Sequence, residues 1–344
     1  MKAAVLKSTR NIIIEDRPVP KLEVNQTLIR VKAAGICGSD LHGFQGIWPD
    51  KRAAGLVMGH ENAGEIVEVG AGVTDYKIGE RVVIDPQLVC GSCDECMQGW
   101  PNVCSNMKLI GSSSRGICNG GFSEYISMPS RNLHRLPENL TFEEGVLFDA
   151  IGNAIHLVSR AQIKPADRVA IVGAGTLGLS LLLVTQISGA GMITISDMSP
   201  YRLNIASELG ADICINVNDK DPVSTIMAAT QGKGVDFAIE AVGKKETYQQ
   251  CLAIVKKRGK ILALGNMANL IELELFRLVS REISIIGCTG FSPLEVERAI
   301  ELMASGKIDV KPLITHTFPL EQAQVAFEFL DRNGHNAIKA ILLP

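Results

Sequence analysis

The sequence predicts an α/β chain in two parts, a mainly-β domain followed by a doubly wound parallel sheet of six strands. Three observations predict it. Up to about residue 150 the chain carries short alternating apolar runs with closely spaced turn residues, the pattern of an irregular all-β domain. From Asp167 strand-like runs alternate with helical ones, the texture of βα units whose parallel sheet is covered on both faces. From Lys307 the chain returns to short strands and one amphipathic helix. A length of 344 residues suits two domains.

In the first part, Thr27–Ala33, Gly64–Val69, Arg81–Ile84 and Phe122–Met128 read as strands. In the second, strands are expected at Val169–Val172, Met192–Ser196, Ile213–Asn216, Val235–Glu240, Lys260–Leu264 and Ile283–Gly287. Helical patterns fall at 176–188, 200–209, 222–230, 246–256 and 293–304, with Leu320–Asp331 as the late amphipathic helix.

Composition narrows the function. Lys and Arg total 34 against 37 Asp and Glu, a net charge of −3 without a block of like charge, which argues against a nucleic-acid binder. Hydrophobic residues at 46% and charged ones at 21% exclude disorder. Nine cysteines are too sparse for a disulfide-stapled scaffold. The start, MKAAVLKSTR, has no long apolar stretch, so a cytoplasmic enzyme is expected. The 28 residues between Arg168 and Asp197 carry no charge, but glycines break them into runs too short to span a bilayer.

Gly173-Ala-Gly175-Thr176-Leu177-Gly178 follows a strand and opens a helix. Its glycines permit a tight turn and the approach of a pyrophosphate to backbone N–H groups at the helix start. Asp197 ends the next strand, 19 residues past Gly178, where an acid accepts ribose hydroxyls and repels a 2′-phosphate. NAD is thus the expected cofactor, with Arg202 close enough to moderate the preference against NADP. The same Asp also suits the capping of a helix at Pro200.

Cys90, Cys93, Cys96 and Cys104 offer four thiolates within 15 residues, a set that suits a closed tetrahedral zinc site. An iron–sulfur cluster uses the same ligand type. Asp94 and Glu95 lie in that loop, where a nucleic-acid-binding zinc ribbon would want basic residues. A second set is scattered: Cys37 within Gly35-Ile-Cys37-Gly-Ser39-Asp40-Leu-His42, and the pair His60-Glu61. Sulfur, nitrogen and oxygen donors of this kind suit an open, catalytic zinc with a position left for water or substrate.

The stretch Gly59-His60-Glu61-x2-Gly64-x5-Gly70-x2-Val73, followed by the four-cysteine loop and the glycine motif, resembles the zinc-containing medium-chain dehydrogenase/reductase family essentially end to end. Within it, Gly35–His42 and Ser196–Leu203 are similar to the polyol (sorbitol-type) dehydrogenases. The resemblance implies a GroES-like catalytic domain over 1–151, a Rossmann NAD-binding domain over 152–290, and a return over 291–344 that completes the catalytic domain. It implies two zincs per subunit, one held by Cys90, Cys93, Cys96 and Cys104. The other would be held by Cys37 and His60, with Glu61 as a direct, exchangeable or water-mediated ligand. The next ligand position falls at Asp149, where alcohol dehydrogenases have Cys and polyol dehydrogenases Glu; a cap for the helix that follows is the alternative role.

The resemblance also implies oxidation of a secondary alcohol by hydride transfer to NAD. Ser39 would take the hydroxyl proton and pass it through the cofactor ribose to His42; an N-cap for Ser39 and a surface position for His42 are the structural alternatives. Phe44 and Trp48 would either wall the substrate pocket or fill core. A polyol, sugar or sugar acid is the first expected substrate. L-threonine is the second, because Asp149–His156 also resembles L-threonine 3-dehydrogenases, although Gln87 stands where those have His. A zinc-free quinone or enone reductase shares the fold but has no need of Cys37, His60 or the cysteine loop. A homodimer or homotetramer is expected, with Ile283–Gly287 as the candidate joining edge.

Overall fold

In the computed structural model, which describes every residue except Asn269, the amino-terminal part is built from strands joined by short helical turns. In order these are β1 (Lys2–Ser8), β2 (Asn11–Asp16), β3 (Gln26–Ile36), α1 (Gly38–Phe44), β4 (Leu56–Val57) and β5 (Glu61–Val69). There follow β6 (Arg81–Ile84), β7 (Gln87–Leu88), α2 (Asp94–Met97), β8 (Lys108–Leu109), β9 (Tyr125–Pro129), β10 (Leu133–Arg135) and α3 (Phe142–Gly145). The helix α4 (Phe148–Ala161) then leads into the βα series.

That series runs β11 (Arg168–Val172), α5 (Thr176–Ile187), β12 (Met192–Asp197), α6 (Pro200–Glu208), β13 (Ile213–Asn216) and α7 (Pro222–Ala229). It continues with β14 (Val235–Glu240), α8 (Lys245–Ile254), β15 (Val255–Ala263), α9 (Leu275–Ser280) and β16 (Ser284–Gly287). The chain ends with α10 (Pro293–Ala304), β17 (Ile314–Pro319), α11 (Ala323–Asn333) and β18 (Lys339–Leu343). Contacts divide the chain into two units, one of Met1–Asp149 with Ser292–Pro344 and the other of Ala150–Phe291.

In the first unit the main sheet has the order β10-β6-β5-β3-β18-β17, with β9 also on β3. Register decides what this sheet brings together. Gly35 of β3 pairs with Glu61 of β5, and Ile36 of β3 pairs with Ala340 of β18. One end of the sheet therefore gathers Cys37, Glu61 and Lys339 from segments far apart in the chain. The core behind it includes Phe44, Phe122 and Phe327, whose rings lie 5.2 and 6.0 Å apart from Phe327 outward. Phe44 is 1% exposed, so it is core and not a pocket wall.

The second unit is one parallel sheet in the order β13-β12-β11-β14-β15-β16, the expected doubly wound six-stranded arrangement. The order reverses between β11 and β14, and a crevice at the carboxyl ends of strands there is where this architecture takes ligands. The uncharged stretch resolves into β11, α5 and β12. Among the described residues, no helix is long and apolar enough to cross a membrane.

Candidate functional site

Cys37 is the N-cap residue of α1, and its N–H donates to the Asp40 carboxylate at 3.2 Å. Ser39 lies inside the first turn, so it is not the cap. The segment after β4 delivers His60, and β5 opens with Glu61. Ligand atoms of Cys37, His60 and Glu61 lie within 4.8 Å of one another. Sulfur, nitrogen and oxygen donors gathered so closely in a buried setting fit a zinc ion with an open position.

The residues around this cluster fix its charge. Asp40 is fully buried, 3.7 Å from His60 Nδ1 and 3.3 Å from an Arg52 nitrogen. Burial alone would raise its pKa, but the charges of His60 and Arg52 prevail and hold it at about 2. The same Arg52 nitrogen donates to Ser39 Oγ at 3.2 Å, so one guanidinium joins Ser39 to the acid behind His60. His42 is in the last turn of α1, its ring 4.8 Å from that of Trp48. Burial, and then Arg52, lower its pKa below the ordinary imidazole value.

Lys339, the first residue of β18, is, with Arg52, a site residue that the sequence did not reveal. It is 2% exposed, and its ammonium donates to both Glu61 oxygens at 2.8 and 2.5 Å and to Ile36 O at 3.4 Å. Gly35 makes room for this pair: a Cβ there would stand 2.3 Å from Glu61 Oε2. Burial disfavours the Lys339 charge, yet the Glu61 carboxylate holds its pKa above the ordinary 10.5.

Asp149 is in the first turn of α4, 7% exposed, and lies outside the three-residue cluster. Burial first, then the negative charge of Glu61, push its carboxyl up to about 7. Gln87 is buried and donates through its N–H to Asp85 at 2.9 Å.

The four loop cysteines form a second cluster, their sulfurs all within 4.8 Å. The Cys90–Cys104 and Cys93–Cys104 separations are 3.5 and 3.7 Å. A tetrahedral site with Zn–S near ~2.3 Å puts sulfurs about 3.8 Å apart, so the cage fits zinc. Backbone N–H groups of Ser92 and Asn106 point at Cys90 and Cys104 sulfur. The backbone N–H groups of Ser92 and then Cys93, which donate to the Cys90 sulfur, hold its thiol at about 5.

In the second unit β11 ends at Val172, and α5 starts at Thr176 with Gly175 as N-cap, which leaves the first N–H groups of α5 without helical partners. Gly173 has φ +104°, and a Cβ on Gly178 would stand 1.9 Å from Gly173 O. Asp197 ends β12; its carboxylate accepts from Ala174 N at 2.7 Å and Ser199 N at 2.8 Å. Arg202, in the first turn of α6, approaches the same carboxylate at 4.0 Å.

Comparison with known proteins agrees with both units. Residues 23–138 match the alcohol dehydrogenase GroES-like domain, and residues 176–305 match the zinc-binding dehydrogenase family. The chain is 35% identical to a sorbitol dehydrogenase of Bacillus subtilis, covering 100% of this chain and 97% of that one. It is 34% identical to an L-threonine 3-dehydrogenase of Bacillus licheniformis, over 95% and 94% of the two chains. A solved alcohol dehydrogenase of Escherichia coli CFT073, in complex with NADH, superposes with a TM-score of 0.92 at 28% identity, over 100% of this chain and 99% of that one.

Proposed function

Because the chain belongs to the zinc-containing medium-chain dehydrogenase/reductase family, we propose that it oxidises a secondary alcohol of a polyol, sugar or sugar acid to the ketone, with NAD as hydride acceptor. The observation that carries this reading is the Cys37-His60-Glu61 cluster with Ser39 and His42 beside it on α1. Cys37 and His60 would hold the catalytic zinc, and Cys90, Cys93, Cys96 and Cys104 a structural one. Zinc, when bound, supplies a Lewis acid that lowers the pKa of a substrate hydroxyl.

The protein's own groups then manage the proton. Ser39 Oγ accepts from Arg52, so its own hydroxyl hydrogen is free to be handed on as the substrate proton arrives. His42, kept neutral by burial and by Arg52, is the acceptor further along. Glu61 is restrained by Lys339, which favours an exchangeable or water-mediated place for it over a permanent one. Asp149, with its raised pKa, completes the acidic side of the site.

A polyol is preferred over L-threonine because Gln87, not His, occupies the buried position three residues before Cys90. Steady-state rates with NAD across polyols, aldonates and L-threonine test this reading. A polyol or aldonate is expected to give the highest kcat/KM, and a higher value for L-threonine would overturn the choice.

Cofactor preference rests on Asp197. A 2′-phosphate beside its carboxylate meets a repulsion of about 1–4 kcal/mol at ~4 Å for effective dielectric constants of ~80 to ~20. That corresponds to roughly five- to several-hundred-fold in favour of NAD. Asp197→Ser should weaken NAD and improve NADP, with Arg202 at hand for the phosphate. Measured kcat/KM for both cofactors decides the matter, and an unchanged ratio would remove Asp197 from the selection.

A homodimer or homotetramer joined through β16 completes the proposal. β16 is a sheet edge, and Ile285 on it and Leu275, Phe276 and Val279 on α9 are exposed by 38, 68, 79 and 64%. An unpaired edge beside apolar side chains is a template for association. Light scattering at micromolar concentration should report a multiple of 37.0 kDa; a 37.0 kDa particle would refute the oligomer.

A further inference from the structure

Glu240 is 0% exposed, ends β14, and takes no part in the chemistry above. One of its oxygens, Oε1, accepts three hydrogen bonds: from Val242 N at 3.0 Å, Gly243 N at 2.8 Å and Thr247 Oγ1 at 2.6 Å. The other, Oε2, is buried without a partner. Three donors on one carboxylate oxygen set the shape of the turn from β14 into α8.

That turn lies at the reversal of strand order, and its backbone ties two further segments to it. Ala241 N donates to Val172 O at 3.0 Å, at the foot of the glycine loop. The Val242 side chain packs on that loop, 2.7 Å from where a Cβ on Gly173 would stand. On the other side, Leu264 N and Gly265 N both donate to Glu240 O at 3.0 Å, and Ala268 N donates to Gly243 O at 2.9 Å. Tyr248 of α8 donates its hydroxyl to Gly265 O at 3.1 Å. The glycine loop, the 241–243 turn and the 264–268 segment are the chain ends that border the crevice.

We propose that Glu240 is a positioning residue for the dinucleotide, its carboxylate holding the 241–243 turn so that the glycine loop and the 264–268 segment keep a spacing that NAD can enter. It acts through backbone groups and does not touch the reacting atoms. An oxygen that collects three donors in a buried turn holds them in place, because those donors have lost water and leaving them unmade costs their desolvation. An alanine would leave the Val242 and Gly243 N–H groups unsatisfied, whereas a glutamine keeps an oxygen to receive them. The proposal rests on the dinucleotide reading of the glycine loop.

The test is a fluorescence titration of purified zinc-loaded protein with NADH, alongside KM for NAD and for the alcohol, on wild type, Glu240→Ala, Glu240→Gln and Thr247→Val. Glu240→Ala should weaken NADH about tenfold and raise KM for NAD to match, with KM for the alcohol within about twofold of wild type. Glu240→Gln should recover most of the loss. Thr247→Val, which removes one donor from the rim of the turn, should weaken NADH about threefold even if Glu240→Ala does not fold. Unchanged NADH affinity in Thr247→Val and in whichever Glu240 variants fold would overturn the proposal. So would losses in NADH and alcohol affinity that fall together with the melting temperature. A wild type that binds no NADH would overturn the cofactor reading itself, and this proposal with it.

Discussion

Cys37→Ser is expected to lower turnover by on the order of 10³-fold or more while the protein stays folded. The thiol sits at the N-cap of α1, and the contact that organises that cap is the Cys37 N–H donating to Asp40, which a serine keeps. Serine is also among the preferred N-cap residues, so α1 should form at least as well. What is lost is the sulfur: a hydroxyl is a weak zinc ligand, and the Lewis-acid contribution to the transition state is worth several kcal/mol, which is a thousandfold or more at ~1.4 kcal/mol per tenfold. Cys93→Ser should behave in the opposite way. Its sulfur belongs to a closed cage on a loop whose own hydrogen bonds are short-range, such as Trp100 N–H to Glu95 O and Cys104 N–H to Pro101 O, with α2 only four residues long. Free energy of metal binding there is folding free energy, so the melting temperature should fall before the rate of surviving enzyme does. Zinc content by elemental analysis, kcat and thermal melting on both variants separate the two roles. Full turnover in Cys37→Ser, or wild-type enzyme that is active without zinc, would overturn the assignment.

The contrast between these two clusters was legible because ligand type and spacing are local properties of the sequence. So were the strands Arg81–Ile84, Ile213–Asn216 and Val235–Glu240, each an apolar or alternating run closed by turn residues, and each found over those same residues. Charge hides one strand. β15 begins at Val255, not Lys260, because Lys256, Lys257 and Arg258 look like a solvated helix end. Arg258 adopts φ +60° there, and the pairing with β14 is irregular between Val235 and Phe237. The strand expected from Phe122 starts at Tyr125, since Phe122 turns into the core against Phe327. Less legible still were the groups that set the charge of the site. Arg52 carries no motif, and only folding shows it joining Ser39 to Asp40. Lys339 is 278 residues from Glu61, and a lysine before a short apolar run is ordinarily an exposed strand end. The one available signal was its place at the head of a strand whose other residues are all apolar.

Lys339→Met is expected to cost the first unit a large part of its stability. The side chains of Lys339 and Glu61 are 2 and 3% exposed, so neither charge can recover water when its partner is removed. Breaking a buried pair from one side costs about 3–5 kcal/mol, because the remaining charge is left uncompensated. At roughly 2–4 °C per kcal/mol for a unit of this size, the metal-free protein should melt on the order of 6–20 °C lower. Asp149 aggravates the loss, since an unpaired Glu61 charge opposes its ionisation. Methionine fills nearly the same volume, so a cavity is not the cause. The lysine's pKa is raised on folding, so its contribution is fully present below about 10.5 and is lost only as pH rises through the folded value. The lysine itself therefore adds no slope across the neutral range, whereas Asp149, held at about 7 and opposed further once Lys339 is gone, should widen the melting difference as pH rises through that value. Zinc gives a second handle: a Glu61 freed from Lys339 can turn toward the metal, so the zinc-loaded variant should lose less stability than the metal-free one while its turnover falls. Adding Glu61→Gln to Lys339→Met removes the stranded charge and should recover much of the melting temperature, a coupling that independent sites do not show. Melting of Lys339→Met within 2 °C of wild type, with and without zinc, would mean that the pair does not hold Glu61 in place.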